Sequence, residues 1–189
     1  MANTAPLTRW SSTGNGAARI YLIGWGTVET ERVATFEYQN AEDIRRVLQR
    51  HGAKYLFFGK SGAILLGYSD TTQDVDLFVA KDPENCSKLV PALLELDFPL
   101  TEQQQQEIRR GKDFIQLRNG PFDLDLIFAP DGIERFEDAW ERHVDRDGFP
   151  VASIDDIIQS KQAANRQRDK ESLPRLLRFR EWLKSEGKR

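Results

Sequence analysis

Tyr55-Leu-Phe-Phe-Gly-Lys-Ser-Gly-Ala-Ile-Leu-Leu-Gly-Tyr-Ser-Asp-Thr-Thr-Gln-Asp-Val-Asp-Leu-Phe-Val79 is the stretch on which the reading of the fold turns. It opens with four apolar residues, Tyr55 to Phe58, the pattern of a central strand. Gly59 to Leu66 then reads as a short helix, closed by Gly67. Asp74 to Val79 is a second strand. Residues two apart on a strand share a face, so Asp74 and Asp76 project together while Val75, Leu77 and Val79 fill the other side. A later segment repeats this arrangement. From Phe122 to Phe128, Asp123 and Asp125 share one face, with Phe122, Leu124, Leu126 and Phe128 behind them.

Carboxylates grouped on apolar strands repel one another and resist ionisation. A divalent cation removes that conflict, and hard oxygen ligands suit Mg²⁺ or Mn²⁺. A lone Asp-x-Asp is often a solvent-facing pair on an edge strand. Two such pairs beside a glycine turn weigh against that reading. The turn, Gly59-Lys60-Ser61-Gly62, supplies an anion side. The first N–H groups of a helix lack internal partners and can receive phosphate oxygens. Gly59 and Gly62 permit close approach, Lys60 adds charge and Ser61 a hydroxyl. This is not a Walker-type loop, because position 54, where its first glycine would stand, is lysine. Lys161 is a further candidate. It follows Ile157 and Ile158 by four and three residues, so it shares their inward helix face, where it either snorkels outward or meets an anion.

Working outward, Ala41 to Arg50 is predicted to be a helix with Asn40 as N-cap and Ile44, Val47 and Leu48 buried. Residues 1–18 read as a loose arm, and 19–24 and 32–38 as strands. Pro83 suits the first turn of a helix running to about Leu96. Thr101 opens a helix bearing solvent-facing glutamines 103–106. Asp113 to Leu117 and Phe122 to Phe128 form a hairpin about Asn119-Gly120. Ile133 to His143 is a helix, and Ser153 caps the helix that carries Lys161. A last helix is expected over Glu171 to Glu186, with Pro174 in its first turn. Strands interleaved with helices, then helices alone, predict an α+β (α/β) core with a C-terminal helical extension. The expected division is an arm with a hairpin over 1–40, a core over 41–152, and packed helices over 153–189.

The 189 residues suffice for a sizeable core, and 39% hydrophobic with 30% charged is a globular composition. No apolar run approaches the ~20 residues of a membrane span, and no secretory signal is visible at the start. The single cysteine, Cys86, excludes an internal disulfide or a cysteine-based zinc site and reads as a packed thiol. The expected compartment is the cytoplasm. Charge is uneven. Lys161 to Arg189 holds ten Lys or Arg and four Asp or Glu, a balance of +6, which leaves −9 for residues 1–160 out of the total of −3. The basic end reads either as a phosphate or nucleic-acid surface or as a solvated helix whose dipole favours cations there. Arg166 and Asp169, three apart, are expected to pair on the surface. His51 and His143 sit near helix ends, as dipole-favoured surface positions. Trp25, Trp140 and Trp182 read as packing residues, with Trp10 in the arm.

Together these residues resemble the nucleotidyltransferase superfamily of DNA polymerase β, in particular its minimal bacterial nucleotidyltransferases and abortive-infection toxins. The shared pattern is a glycine turn, a short helix, then Thr72-Gln-Asp74-Val-Asp76. A third family aspartate precedes a hydrophobic pair, which Asp125-Leu-Ile matches better than Asp123-Leu-Asp, with Asp123 left open. A later helix with Lys and then Arg-x-x-Asp corresponds to Lys161 and Arg166-Gln-Arg-Asp169. Many relatives have glycine at the position of Lys60 and arginine at that of Asp70. The resemblance covers roughly residues 41–180 and implies a mixed sheet flanked by helices.

The resemblance further implies transfer of a nucleoside monophosphate from a nucleoside triphosphate such as ATP to a hydroxyl on RNA, protein or a small molecule. Asp74, Asp76 and Asp125 would then hold Mg²⁺ or Mn²⁺ and carry catalysis. Gly59, Lys60, Ser61, Thr72 and Lys161 would bind the nucleotide, and a toxin-like role would bring an antitoxin partner. Alternatives are a catalytically silent nucleotide-binding or regulatory domain of the same fold, prompted by Lys60 and Asp70, a metal-dependent phosphohydrolase, and a partner-binding module using the basic tail. Fold alone does not choose among them.

Overall fold

The structure is a computed structural model that describes residues 36–187. The expected arm over 1–18, the strand over 19–24, Trp10 and Trp25 lie outside the described residues. The elements in chain order are α1 (Tyr38–Arg50), β1 (Tyr55–Phe58), α2 (Gly59–Leu65), β2 (Asp74–Val79), α3 (Pro83–Glu95), α4 (Glu102–Arg109), β3 (Phe114–Leu117), β4 (Asp123–Ile127), α5 (Phe136–Glu141), β5 (Val144–Arg146), β6 (Phe149–Val151), α6 (Ile154–Ala164) and α7 (Gln167–Ser185). The fold is α+β, a six-stranded mixed sheet with helices on both sides.

The strand order is β3-β4-β2-β1-β6-β5. β2 and β4 run parallel, as do β1 and β6, while β1–β2, β3–β4 and β5–β6 are antiparallel. β1 is buried along its whole length, as its unbroken apolar run dictates. Ile44, Val47 and Leu48 of α1 are buried, and so are Leu89, Val90 and Leu93 of α3. Asn119 adopts φ +61°, which the β3–β4 hairpin turn requires and asparagine tolerates. Thr101 caps α4 by accepting from the Gln104 N–H at 3.2 Å, and Gln103 and Gln106 are exposed. Cys86 is buried and free. Among the described residues no helix is long and apolar enough to cross a membrane.

Several boundaries differ from expectation. The predicted strand over 32–38 does not extend into the described residues, where Phe36 and Glu37 are irregular and α1 begins at Tyr38. Asn40 lies inside that helix, and its Oδ1 accepts from the Glu37 N–H at 2.8 Å, so Glu37 is the N-cap. α5 is shorter than predicted, because Gly132 at φ +75° and an extended Arg135 hold the chain out of helix until Phe136. α7 starts at Gln167, which leaves Pro174 in its interior. The β5–β6 hairpin was not expected. It turns at Asp147-Gly148, with φ of +54° and +84°, the pair of positive values a two-residue turn of this hand needs.

Candidate active site

The parallel register of β2 and β4 sets Asp76 beside Asp125 and Asp74 beside Asp123. Asp74, Asp76 and Asp125 each bring one carboxylate oxygen to within 4.8 Å of the others. Asp123 stands outside this group, so Asp125 is the third converging carboxylate. Asp125 is 6% exposed. Its carboxyl is pushed up by burial and by Asp74, against the pull of Arg118. Asp76 is pushed up further, to about 7, by burial first and then by Asp74 and Asp125; Lys161 and the Lys60 N–H oppose the shift.

The Gly59–Gly62 turn holds this cluster from below. Gly59 has φ +54°, and the Lys60 N–H donates to Asp76 Oδ2 at 3.2 Å. Ser61 does not face a ligand, contrary to expectation. It is fully buried, accepts from the Asp76 N–H at 2.9 Å and donates to the Phe58 carbonyl at 3.1 Å. Its hydroxyl is a clip joining α2 to both strands. A side chain at Gly62 would strike the Phe57 carbonyl at 2.8 Å, so this glycine permits close helix–strand packing rather than ligand approach. Thr72 orients Asp74 by donating to its Oδ1 at 2.8 Å.

A cavity of about 340 Å³ lies over the carboxylates, bounded by β2, β4, the start of α2 and the α6–α7 corner. Gly59, Lys60, Thr72 and Lys161 line it, and Ser61 does not. Lys60 lies 3.9 Å from Asp70, which also pairs with Arg175 at 3.5 Å. Lys161 does meet an anion, the carboxylate of Asp169 at 3.1 Å, which is itself 4% exposed. The expected Arg166–Asp169 pair is therefore replaced. Asn165 takes the left-handed conformation at φ +51°, ending α6 and turning α7 back so that Asp169 faces Lys161. Arg166 pairs instead with Asp131 at 3.5 Å.

Two cations escaped the sequence reading. Arg118 reaches over the cluster from the end of β3, 2.9 Å from Asp125, 3.9 Å from Asp123 and 4.0 Å from Asp74. Beside it, Gln116 donates to Asp125 at 3.5 Å. Arg168 lines the cavity and makes no ion pair among the described residues. Arg118 lies in no motif and Arg168 is an unspecified position of Arg166-x-x-Asp169; the hairpin register and the α6–α7 corner bring them to the site. His51 bonds Glu95 at 2.8 Å on the surface, and His143 stacks on Trp140. Neither histidine lines the cavity, nor do Trp140 and Trp182. Compared with known proteins, the chain matches no family model and none of the curated sequences.

Proposed function

We propose that this protein is a metal-dependent nucleotidyltransferase that moves a nucleoside monophosphate from a nucleoside triphosphate to a hydroxyl acceptor and releases pyrophosphate. The observation that carries the reading is the convergence of Asp74, Asp76 and Asp125 from two parallel strands beneath a cavity rimmed by Lys60, Lys161, Arg166 and Arg168. It is supported by the resemblance of the Thr72-x-Asp74-x-Asp76, Asp125 and Lys161 pattern to the polymerase β superfamily.

The donor set fits a hard divalent cation. It is all oxygen, and Asp76 is pushed up by burial first and then by the neighbouring charges of Asp74 and Asp125, which a cation would offset. Asp74, Asp76 and Asp125 would hold Mg²⁺ or Mn²⁺, which when bound stabilises charge on the attacking and leaving oxygens. Thr72 fixes the orientation of Asp74, and the Ser61 clip fixes Asp76. Lys60, Lys161 and Arg168 offer charge to the triphosphate, and Lys161 is held in place by Asp169. Asp125 would help hold the cation that lowers the pKa of the acceptor hydroxyl.

The pairing of Lys60 with Asp70 and of Arg118 with Asp125 favours a second reading, a nucleotide-binding domain without turnover. Incubation of the protein with α-labelled triphosphates, Mg²⁺ and cell lysate separates the two. Transfer predicts label on one of the RNA, protein or small-molecule fractions, equimolar pyrophosphate, and loss of both in Asp76→Asn. Nucleotide binding with no pyrophosphate supports the silent domain. Release of nucleoside monophosphate with no labelled acceptor supports a phosphohydrolase.

A further inference from the structure

We propose that the base of the nucleotide stacks on an apolar shelf formed by Phe114 and Ile127 in the cavity; this rests on the nucleotide reading above. The shelf follows from strand geometry. On β3, Phe114 and Gln116 point outward while Ile115 and Leu117 are buried. The antiparallel register sets Gln116 opposite Asp125 and Phe114 opposite Ile127. The Phe114–Ile127 pair is thus the next same-face pair beyond Asp125, about 7 Å along the strands. Phe114 is 45% exposed, a large open area for a phenyl ring. Both shelf residues line the cavity together with Lys60, Lys161 and the carboxylates.

This mixed lining matches the ligand. A nucleoside triphosphate is anionic at one end and flat and weakly polar at the other, with a ribose bridging the interval between them. Lys60, Lys161 and the carboxylates with their cation suit the anionic end. Phe114 presents a ring to the other, and stacking on an aromatic side chain suits any base. A purine covers more of the shelf than a pyrimidine. The plain alternative is that Phe114 and Ile127 only stabilise the hairpin as a cross-strand aromatic–aliphatic pair.

Calorimetric titration with Mg²⁺ tests the proposal, using three probes: α,β-methylene-ATP, α,β-methylene-CTP and inorganic tripolyphosphate. The wild-type protein is expected to bind the ATP analogue roughly tenfold tighter than tripolyphosphate, with the CTP analogue between them. Phe114→Leu keeps an apolar partner for Ile127 and should erase most of that advantage while leaving tripolyphosphate binding unchanged. Phe114→Tyr should retain it. An unchanged ratio of nucleotide to tripolyphosphate affinity in Phe114→Leu overturns the shelf but leaves the triphosphate site standing. If none of the three probes binds wild-type protein, the nucleotide reading falls and the shelf with it.

Discussion

A Cβ placed on Gly59 would lie 2.2 Å from Oδ2 of Asp76. The glycine is therefore required twice over, once for its φ of +54° and once for the carboxylate that fills the space a side chain would take. Gly59→Ala should lower stability by about 2 kcal/mol or more, combining backbone strain with the clash. In an Asp76→Ala background only the Cβ contact at 3.0 Å remains, so the same substitution should cost less, about 1 kcal/mol for the backbone plus that milder contact. Urea denaturation of the four proteins in the cycle checks this, and equal costs in both backgrounds would show that the two residues do not share the space.

Asp76 also sets a pH dependence. Its carboxyl titrates near 7 in the folded protein, above the ordinary 3.8. Between those values the native state keeps a proton that the unfolded chain has released. Stability therefore falls as pH rises through this window, the reverse of a salt-bridged carboxylate. Asp76→Asn removes the cost, so without divalent ions it should be more stable than wild type at pH 8, by roughly 1–3 kcal/mol. The gain should fade towards pH 4. Excess Mg²⁺ should shrink it, because the wild-type cluster binds the ion more tightly and gains more from it. Thermal melts at pH 4, 6 and 8 with and without Mg²⁺ give the comparison.

Arg118 pairs with Asp125 at 2.9 Å. Arg118→Gln leaves the three carboxylates with less compensation. Its stability should drop by about 1 kcal/mol in chelator, a modest figure because the arginine is partly exposed. Mg²⁺ should then raise its melting temperature more than it raises that of wild type. Equal Mg²⁺-induced shifts in the two proteins would separate Arg118 from the cluster's electrostatics.

The helix that carries Lys161 is anchored at its start. Ser153 Oγ accepts from the Asp156 N–H at 3.1 Å and donates to Asp156 Oδ2 at 2.7 Å, and Arg142 pairs with Asp156 at 2.7 Å. Ser153→Ala should cost about 1 kcal/mol as a lost cap. Asp156→Ala removes the buried carboxylate and leaves Arg142 and the Ser153 hydroxyl without their acceptor, and should cost about 2–4 kcal/mol. Because Lys161 sits on the same helix, Asp156→Ala should also weaken tripolyphosphate binding, measurable by titration under conditions where the variant remains folded.

Much of the architecture was legible because its signals are local. The apolar run of Tyr55–Phe58, the alternation in Asp74–Val79 and Asp123–Ile127, and the Asn119-Gly120 turn each announce an element without reference to the rest of the chain. The convergence of Asp74, Asp76 and Asp125 followed from the same alternation once β2 and β4 lay side by side. What stayed hidden depends on distant partners. Ser61 reads as a free hydroxyl until the Asp76 N–H is seen beneath it. Arg166 and Asp169 read as an i,i+3 pair only if one helix holds both. Arg166 instead occupies the extended N-cap of α7, so the two do not share a face. β5 and β6, three residues each, are too short for periodicity, and their Asp147-Gly148 turn was the one available sign.

The central claim is that Asp74, Asp76 and Asp125 form one divalent-cation site. Mn²⁺ titration followed by electron paramagnetic resonance tests it most directly, with wild type, Asp76→Asn, Asp125→Asn and Asp123→Asn compared at pH 8. The account predicts saturable Mn²⁺ binding to wild type and Asp123→Asn, weakened at least tenfold in Asp76→Asn and Asp125→Asn. Binding of equal strength in all four folded proteins would contradict it.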